Sequence, residues 1–219
     1  MNEIITVNER ALIDPAGKPS AEPESPLLIA AEETAAWLID ETDHGRYPGA
    51  RHTWKVFEDH WERAFPKSAG VMSSKDYCEQ LQQIPHACCR LRDLIWPREV
   101  LQPVRPYKLI VDGVTITGQY AVLRSARRRK HAQIIYLRHS GERRRPLIPD
   151  TLSTARWLYI DARWAQVASA WQINSIGVLH YWIANADFAA EHKPDVASAK
   201  QMLVHAVSAL GQSKLLNGA

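Results

Sequence analysis

A chain of 219 residues, 46% hydrophobic and 23% charged, can build a sizeable core and does not have the composition of a disordered protein. Its formal net charge of +3 is too small to make the whole surface cationic, so any attraction for polyanions must be local. No apolar run is long enough to cross a bilayer, and the opening residues MNEIITVNERALID are acidic and polar where a secretory signal would be basic and then apolar. A cytoplasmic protein with no membrane partner is expected.

In chain order, residues 1–25 read as a flexible lead-in, because PAGKPSAEPESP cannot bury apolar area. Order is expected from Ser25-Pro26, with serine as cap and proline at the first helical position of LLIAAEETAAWLIDE. Trp54, Phe57, Trp61 and Phe65 recur at steps of three and four residues and predict a helix over about 50–65 with one aromatic stripe. A further helix is expected from Ser73 or Ser74 through Tyr77, Leu81 and Ile84. Pro85 should end or kink it, and a short helical piece should lead to Pro97. The region 26–100 is therefore expected to be helical.

Residues 104–148 read as sheet. Asp112-Gly113 stands between β-branched runs, and a two-residue turn of this kind needs positive φ at both positions, so 107–111 should pair with 114–123. HAQIIYLR supplies a third strand, with four apolar residues from Ile134 to Leu137 that predict burial on both faces. The region 150–219 is expected to be helical again. Trp157, Trp164 and Trp171 recur every seven residues and should line one face of a long helix or of two in series, as core or, alternatively, as a surface for base stacking or a partner protein. Asp195 should cap a last amphipathic helix that Gly211 ends. The expected fold class is α+β or α/β: one domain over 26–219, with a small, mainly antiparallel central sheet at about 106–138 flanked by N-terminal and C-terminal helices.

The sheet's far turns carry the clearest chemical signal. From Arg124 to Arg145 there are nine Lys or Arg against the single Glu142. Arg124, Arg127, Arg128, Arg129, Lys130, Arg138, Arg143, Arg144 and Arg145 are the expected contacts to a nucleic-acid backbone, since like charges this dense repel one another unless an anion or solvent relieves them. Arg156 and Arg163, beside the tryptophan stripe, can extend that cationic face.

Other candidates are weaker. Cys78, Cys88 and Cys89 form no CxxC pair and read as buried free thiols, even with His86 nearby. Glu58, Asp59 and His60 are adjacent on a helix and point in different directions. His86 and His180-Tyr181 read as partly buried, satisfied side chains. There is no P-loop, GxGxxG, GxSxG or HExxH, so neither cofactor nor metal is expected.

The order of helices, hairpin, buried strand and helices over about residues 49–185 resembles the RecB-like branch of the PD-(D/E)XK nuclease superfamily. Gly49-Ala50-Arg51-His52 opens the aromatic helix, which gives His52 its place in the comparison. ITGQYAVL from Ile116 to Leu123 looks like the strand that carries the family's metal-binding aspartate. IIYLRHSG from Ile134 to Gly141 looks like its Asp-or-Glu, x, Lys strand, and Gln172 and Tyr181 fall in the segment expected to be the following helix. At the aspartate's place this chain has Tyr120 or Ala121, and Tyr136 and Arg138 stand where the second carboxylate and the lysine would be. Neither tyrosine nor alanine can replace a carboxylate in holding Mg²⁺, whereas Arg138 could still meet a phosphate. The resemblance thus implies a pseudo-nuclease: a non-catalytic binder of DNA or RNA, or a subunit with a protein partner in a nucleoprotein complex, in a setting such as recombination or defence. The alternatives are an active metal-dependent nuclease with displaced carboxylates such as Asp112, Glu58 and Asp150, and a protein-interaction scaffold without nucleic-acid binding.

Overall fold

A computed structural model of the chain describes residues 6–9, 26–68, 73–125, 129–138, 151–182, 187–191 and 195–216. The first helix, α1 (Pro26–Asp43), begins at the proline that its fixed φ suits to a first turn. It buries Leu27, Leu28, Ala31, Ala35, Leu38 and Ile39. Its end is set by Gly45 at φ 70°, where the Gly45 and Arg46 amides reach back to Thr42 and Glu41, a pairing that satisfies the last carbonyls. Helix α2 (Ala50–Ser68) turns Phe57 and Trp61 into the core and packs Phe65 against it. Trp54, expected on the same stripe, is exposed.

Helix α3 (Ser74–Ile95) runs without a break through Pro85. Proline removes one backbone donor, and the apolar residues on both sides of it, Ile84, Ala87, Cys88 and Leu91, are buried and hold the helix in one piece. Of the three cysteines only Cys88 is buried; Cys78 and Cys89 are exposed free thiols, against the expectation that all would be inside. Burial pushes the Cys88 thiol up to about 12.

A hairpin follows. Strands β2 (Arg98–Val111) and β3 (Val114–Ser125) are antiparallel, and Asp112 and Gly113 have φ of 48° and 77°, as the Asp-Gly pair demands. β2 begins well before Tyr107. It is an edge strand, and its register shifts fall around Pro103, whose missing N–H makes an edge or a bulge its natural place. β3 pairs antiparallel with β4 (His131–Arg138).

The region after residue 150 departs from the all-helical expectation. Helices α4 (Thr151–Asp161) and α5 (Trp164–Trp171) are followed by β5 (Ser175–Trp182), which pairs parallel with β4 along its length, and then by β6 (Asp187–Glu191), antiparallel to β5. Gln172 ends α5 in the left-handed conformation (φ 52°, ψ 44°) without the glycine that usually marks such a stop. Tyr181 and Gln172 are therefore a strand residue and a cap, not helix residues. The last helix, α6 (Val196–Leu216), starts as expected, with the Asp195 carboxylate accepting the Ser198 amide at 3.0 Å. It continues past Gly211, because a lone glycine inside a helix costs only about 1 kcal/mol.

The sheet is thus a mixed one of six strands, larger than the small, mainly antiparallel sheet expected for 106–138. The architecture is α/β in three layers. Helices α1, α2 and α3 cover one face over Ala121, Leu123, Ile135 and Leu137. Helices α4 and α6 cover the other over Ile116, Val122, Ile134 and Tyr136. Trp157 lies deep in that second core, as its spacing predicts, while Trp164 and Trp171 are half-buried against its margin. Among the described residues no helix is long and apolar enough to cross a membrane.

Residues 6–9 are a second departure. Thr6–Asn8 form strand β1, parallel to β3 and paired with Thr115, Ile116 and Thr117, so part of the expected lead-in belongs to the sheet. β2 occupies one edge of β3 along its length, and the other edge is divided: residues 115–117 pair with β1 and 122–124 with β4. Between them, Gly118 to Ala121 face a fork in the sheet.

Candidate nucleic-acid interface

The basic rim is assembled at the end of the sheet where β2 starts, β3 ends and β4 starts. Arg98 is opposite Ser125 and Glu99 opposite Arg124. The turn between β3 and β4 is tied to the start of β5, since the Lys130 carbonyl accepts the amides of Asn174 (2.8 Å) and Ser175 (3.3 Å). His131 then meets the Ser175 hydroxyl at 2.8 Å. Of the turn's cations, Arg129 and Lys130 thus stand at an anchored position.

The nine expected contact residues fare differently there. Arg124 is engaged within the fold: its Nε and Nη2 donate to the Glu99 carboxylate at 2.9 and 2.5 Å, and its Nη1 donates to the Trp171 carbonyl at 2.9 Å. Its charge is matched and its geometry is that of a clamp between β2, β3 and α5. Arg129 and Lys130 are exposed. With Glu99, Arg124, Ser125 and Gln172 they border an open hollow of about 560 Å³. Arg138 ends β4 opposite Trp182, and its side chain lies outside the described part of the structure. Arg127, Arg128, Arg143, Arg144 and Arg145 also lie outside the described residues. Nearby, Arg98 donates to the Leu94 carbonyl and to Gln133, and burial draws its pKa below the ordinary arginine value.

A second polar site lies at the fork. The buried Glu9 carboxylate accepts hydrogen bonds from the Tyr107 hydroxyl (2.6 Å), from Arg156 Nε (3.0 and 3.2 Å) and Nη2 (2.7 Å), and from the Gln119 amide (3.4 Å). Arg156 also lies over the Tyr136 ring, 4.6 Å from its centroid. Burial alone would lower the Arg156 pKa, and the adjacent Glu9 charge more than reverses this, so it stands above the ordinary value. Burial first, then Glu9, raises Tyr107. Gly118 is required here, because a Cβ at that position would fall on the Glu9 carboxylate. Beside this cluster is a cavity of about 330 Å³ bordered by Glu32, Gln119, Tyr120, Ile135 and Arg156.

The positions at which the nuclease resemblance looks for metal ligands are all structural here. Ala121 is buried in the core on the α1 side of the sheet. Tyr120 packs on Tyr107 and Tyr159 with ring centroids 6.2 and 5.4 Å away, and burial raises its pKa. Tyr136 is buried on the opposite side of the sheet from Ala121, beneath Arg156. His52 sits edge-on to Trp37 at 5.2 Å. His60 meets Glu33 on α1 and Arg63 on its own helix, each at 2.6 Å, and not Glu58 or Asp59. His180 is buried with Tyr136 and Trp182 as ring neighbours, as expected, whereas His86 is exposed. Asp112 is at the tip of the hairpin and Glu58 is exposed on α2, while Asp150 lies outside the described residues. Among the described residues no three His, Cys, Asp or Glu side chains gather closely enough to hold a metal ion.

Comparisons with protein families, curated proteins and solved structures return no match. The functional reading therefore rests on the chain's own geometry. Two features escaped sequence reasoning. Glu9 lay in a stretch read as lead-in, and only a long-range contact distinguishes it from any exposed glutamate. The aromatic pair Tyr47 and Trp96, with centroids 5.9 Å apart on the surface, lies outside every periodic stripe, and the one available signal was an isolated Trp-Pro between a helix and a strand.

Proposed function

We propose that this chain binds nucleic acid without cutting it, alone or as a subunit of a nucleoprotein complex. The observation that carries the reading is the anchored β3–β4 turn. It presents Arg129 and Lys130 to solvent at one end of the sheet, beside an Arg124 already neutralised by Glu99, in a sequence that adds Arg127 and Arg128 next to them. Exposed cations on a fixed frame suit a phosphate backbone, which is bound chiefly by charge and by release of counterions.

The same reading takes the fold as a degenerate relative of the RecB-like PD-(D/E)XK nucleases. It is supported by the succession of helix α3, hairpin, buried strand β4 and helix α4; at the places of the family's carboxylates this chain has Tyr120 or Ala121, and Tyr136. None of these side chains supplies the anionic oxygen that Mg²⁺ requires. The substitution Arg129→Glu with Lys130→Glu tests the reading. Both residues are exposed, so the fold is retained. Affinity for nucleic acid at low salt is expected to fall about tenfold or more, with a shallower dependence on salt, because each lost phosphate contact removes about one unit of slope. Unchanged affinity and slope would remove this site from the interface.

A further inference from the structure

Trp96 and Pro97 join α3 to β2, and Trp96 is two residues from Arg98, which pairs with the last residue of β3. It is 40% exposed, and Tyr47, from the connection between α1 and α2, is 56% exposed. The two rings meet at 5.9 Å with 34° between their planes. The Arg92 guanidinium lies over Trp96 at 4.2 Å, and its buried Nε has no hydrogen-bond partner among the described residues. Two aromatic rings this exposed, one backed by a cation, offer flat faces on which a planar group can stack.

Their position narrows what that group is. β2 and β4 are separated by β3 alone, two strand spacings of about 4.8 Å, so the start of β2, two residues after Trp96, stands about 10 Å from the start of β4, one residue after Lys130. At this end of the sheet the carboxylates of Glu99 and Glu41 are taken up by Arg124 and Arg46. Arg129 and Lys130 are exposed on the turn, whereas Asp40, Asp43 and Asp93 are the exposed carboxylates on the helices nearer the two rings. An aromatic platform beside a cationic turn matches a ligand with flat π-faces and a negative backbone.

Resting on the nucleic-acid reading above, we infer that the ligand is single-stranded nucleic acid, with bases stacked on Tyr47 and Trp96 and phosphates on Arg129 and Lys130. A duplex offers the same phosphates but keeps its base faces stacked inside, so it would engage only the turn.

The test measures binding of the full chain to oligo(dT) and oligo(U) of about 12 nucleotides and to a duplex DNA. Tyr47→Ala with Trp96→Ala is expected to lose about tenfold or more in affinity for the single strands and under about twofold for the duplex, with the salt slope retained, since a stacked base contributes about 1–3 kcal/mol. Tyr47→Phe with Trp96→Phe keeps flat rings and should restore single-strand binding. Ile110→Ala removes a side chain that is 74% exposed at the other end of β2, and should change nothing. The contrast between oligo(dT) and oligo(U) reports which sugar is preferred. Equal losses on single strands and duplex, or none, while the wild-type chain binds in a salt-dependent way, would overturn the stacking platform and leave the basic turn standing. A wild-type chain that retains none of these strands at low salt would overturn both.

Discussion

Glu9→Ala is expected to destabilise the protein by about 3–5 kcal/mol, a large part of the stability of a typical domain. The reason is not the loss of an attraction alone. Glu9 and Arg156 side chains are only 4% and 12% exposed, so removing the carboxylate leaves a largely buried guanidinium without the partner that offsets its desolvation. It also strips the acceptor from Tyr107 and from the Gln119 amide. Arg156→Met should cost a similar amount for the mirrored reason. The double substitution Glu9→Ala with Arg156→Met should cost clearly less than the two singles added, because no buried charge is then left over. Urea unfolding followed by circular dichroism measures all three, and single-variant losses under about 1 kcal/mol would show that the fork is not held by this pair.

Gly118→Ala is expected to be the most damaging single-methyl change in the sheet, at about 1–3 kcal/mol from steric conflict. Gly118 does not need its backbone freedom here; what it lacks is the Cβ that would strike the Glu9 carboxylate. The conflict therefore has one partner. In a Glu9→Ala background the same substitution should be neutral or slightly stabilising, since alanine restricts the unfolded chain more than glycine does. A double-mutant cycle reads this as a coupling of about 1–3 kcal/mol, and additivity of the two substitutions would contradict the contact.

These two sites also show where reading the sequence succeeds and where it stops. The Asp-Gly hairpin, the buried run Ile134–Leu137, the Phe57 and Trp61 stripe and the Asp195 cap all follow from local chemistry, and each is present. Pro85 does not end α3, because helix disruption is a local cost of a few kcal/mol and buried neighbours on both sides offset it. Strand β5 was missed for a different reason. SIGVLHYW is buried along nearly its whole length, so it shows no alternation to betray a strand, and Gln172 provides the left-handed stop without a glycine. Of the candidate site, the sequence revealed the charge but not its pairing. Arg124 looks the same in sequence as Arg129, and only the strand register that sets it opposite Glu99 separates a structural clamp from an exposed cation. Glu9 and its fork depend on contacts across more than a hundred residues, which no local pattern records.

The most direct test of binding without cleavage is one assay. Labelled single- and double-stranded DNA and RNA are incubated with the full chain at low and at physiological salt, with and without Mn²⁺, and both retention and strand length are read. Retention that weakens steeply as salt rises, with every strand intact in Mn²⁺, is the expected result. Absence of retention at low salt, or shortened strands that appear only with the metal, would contradict it.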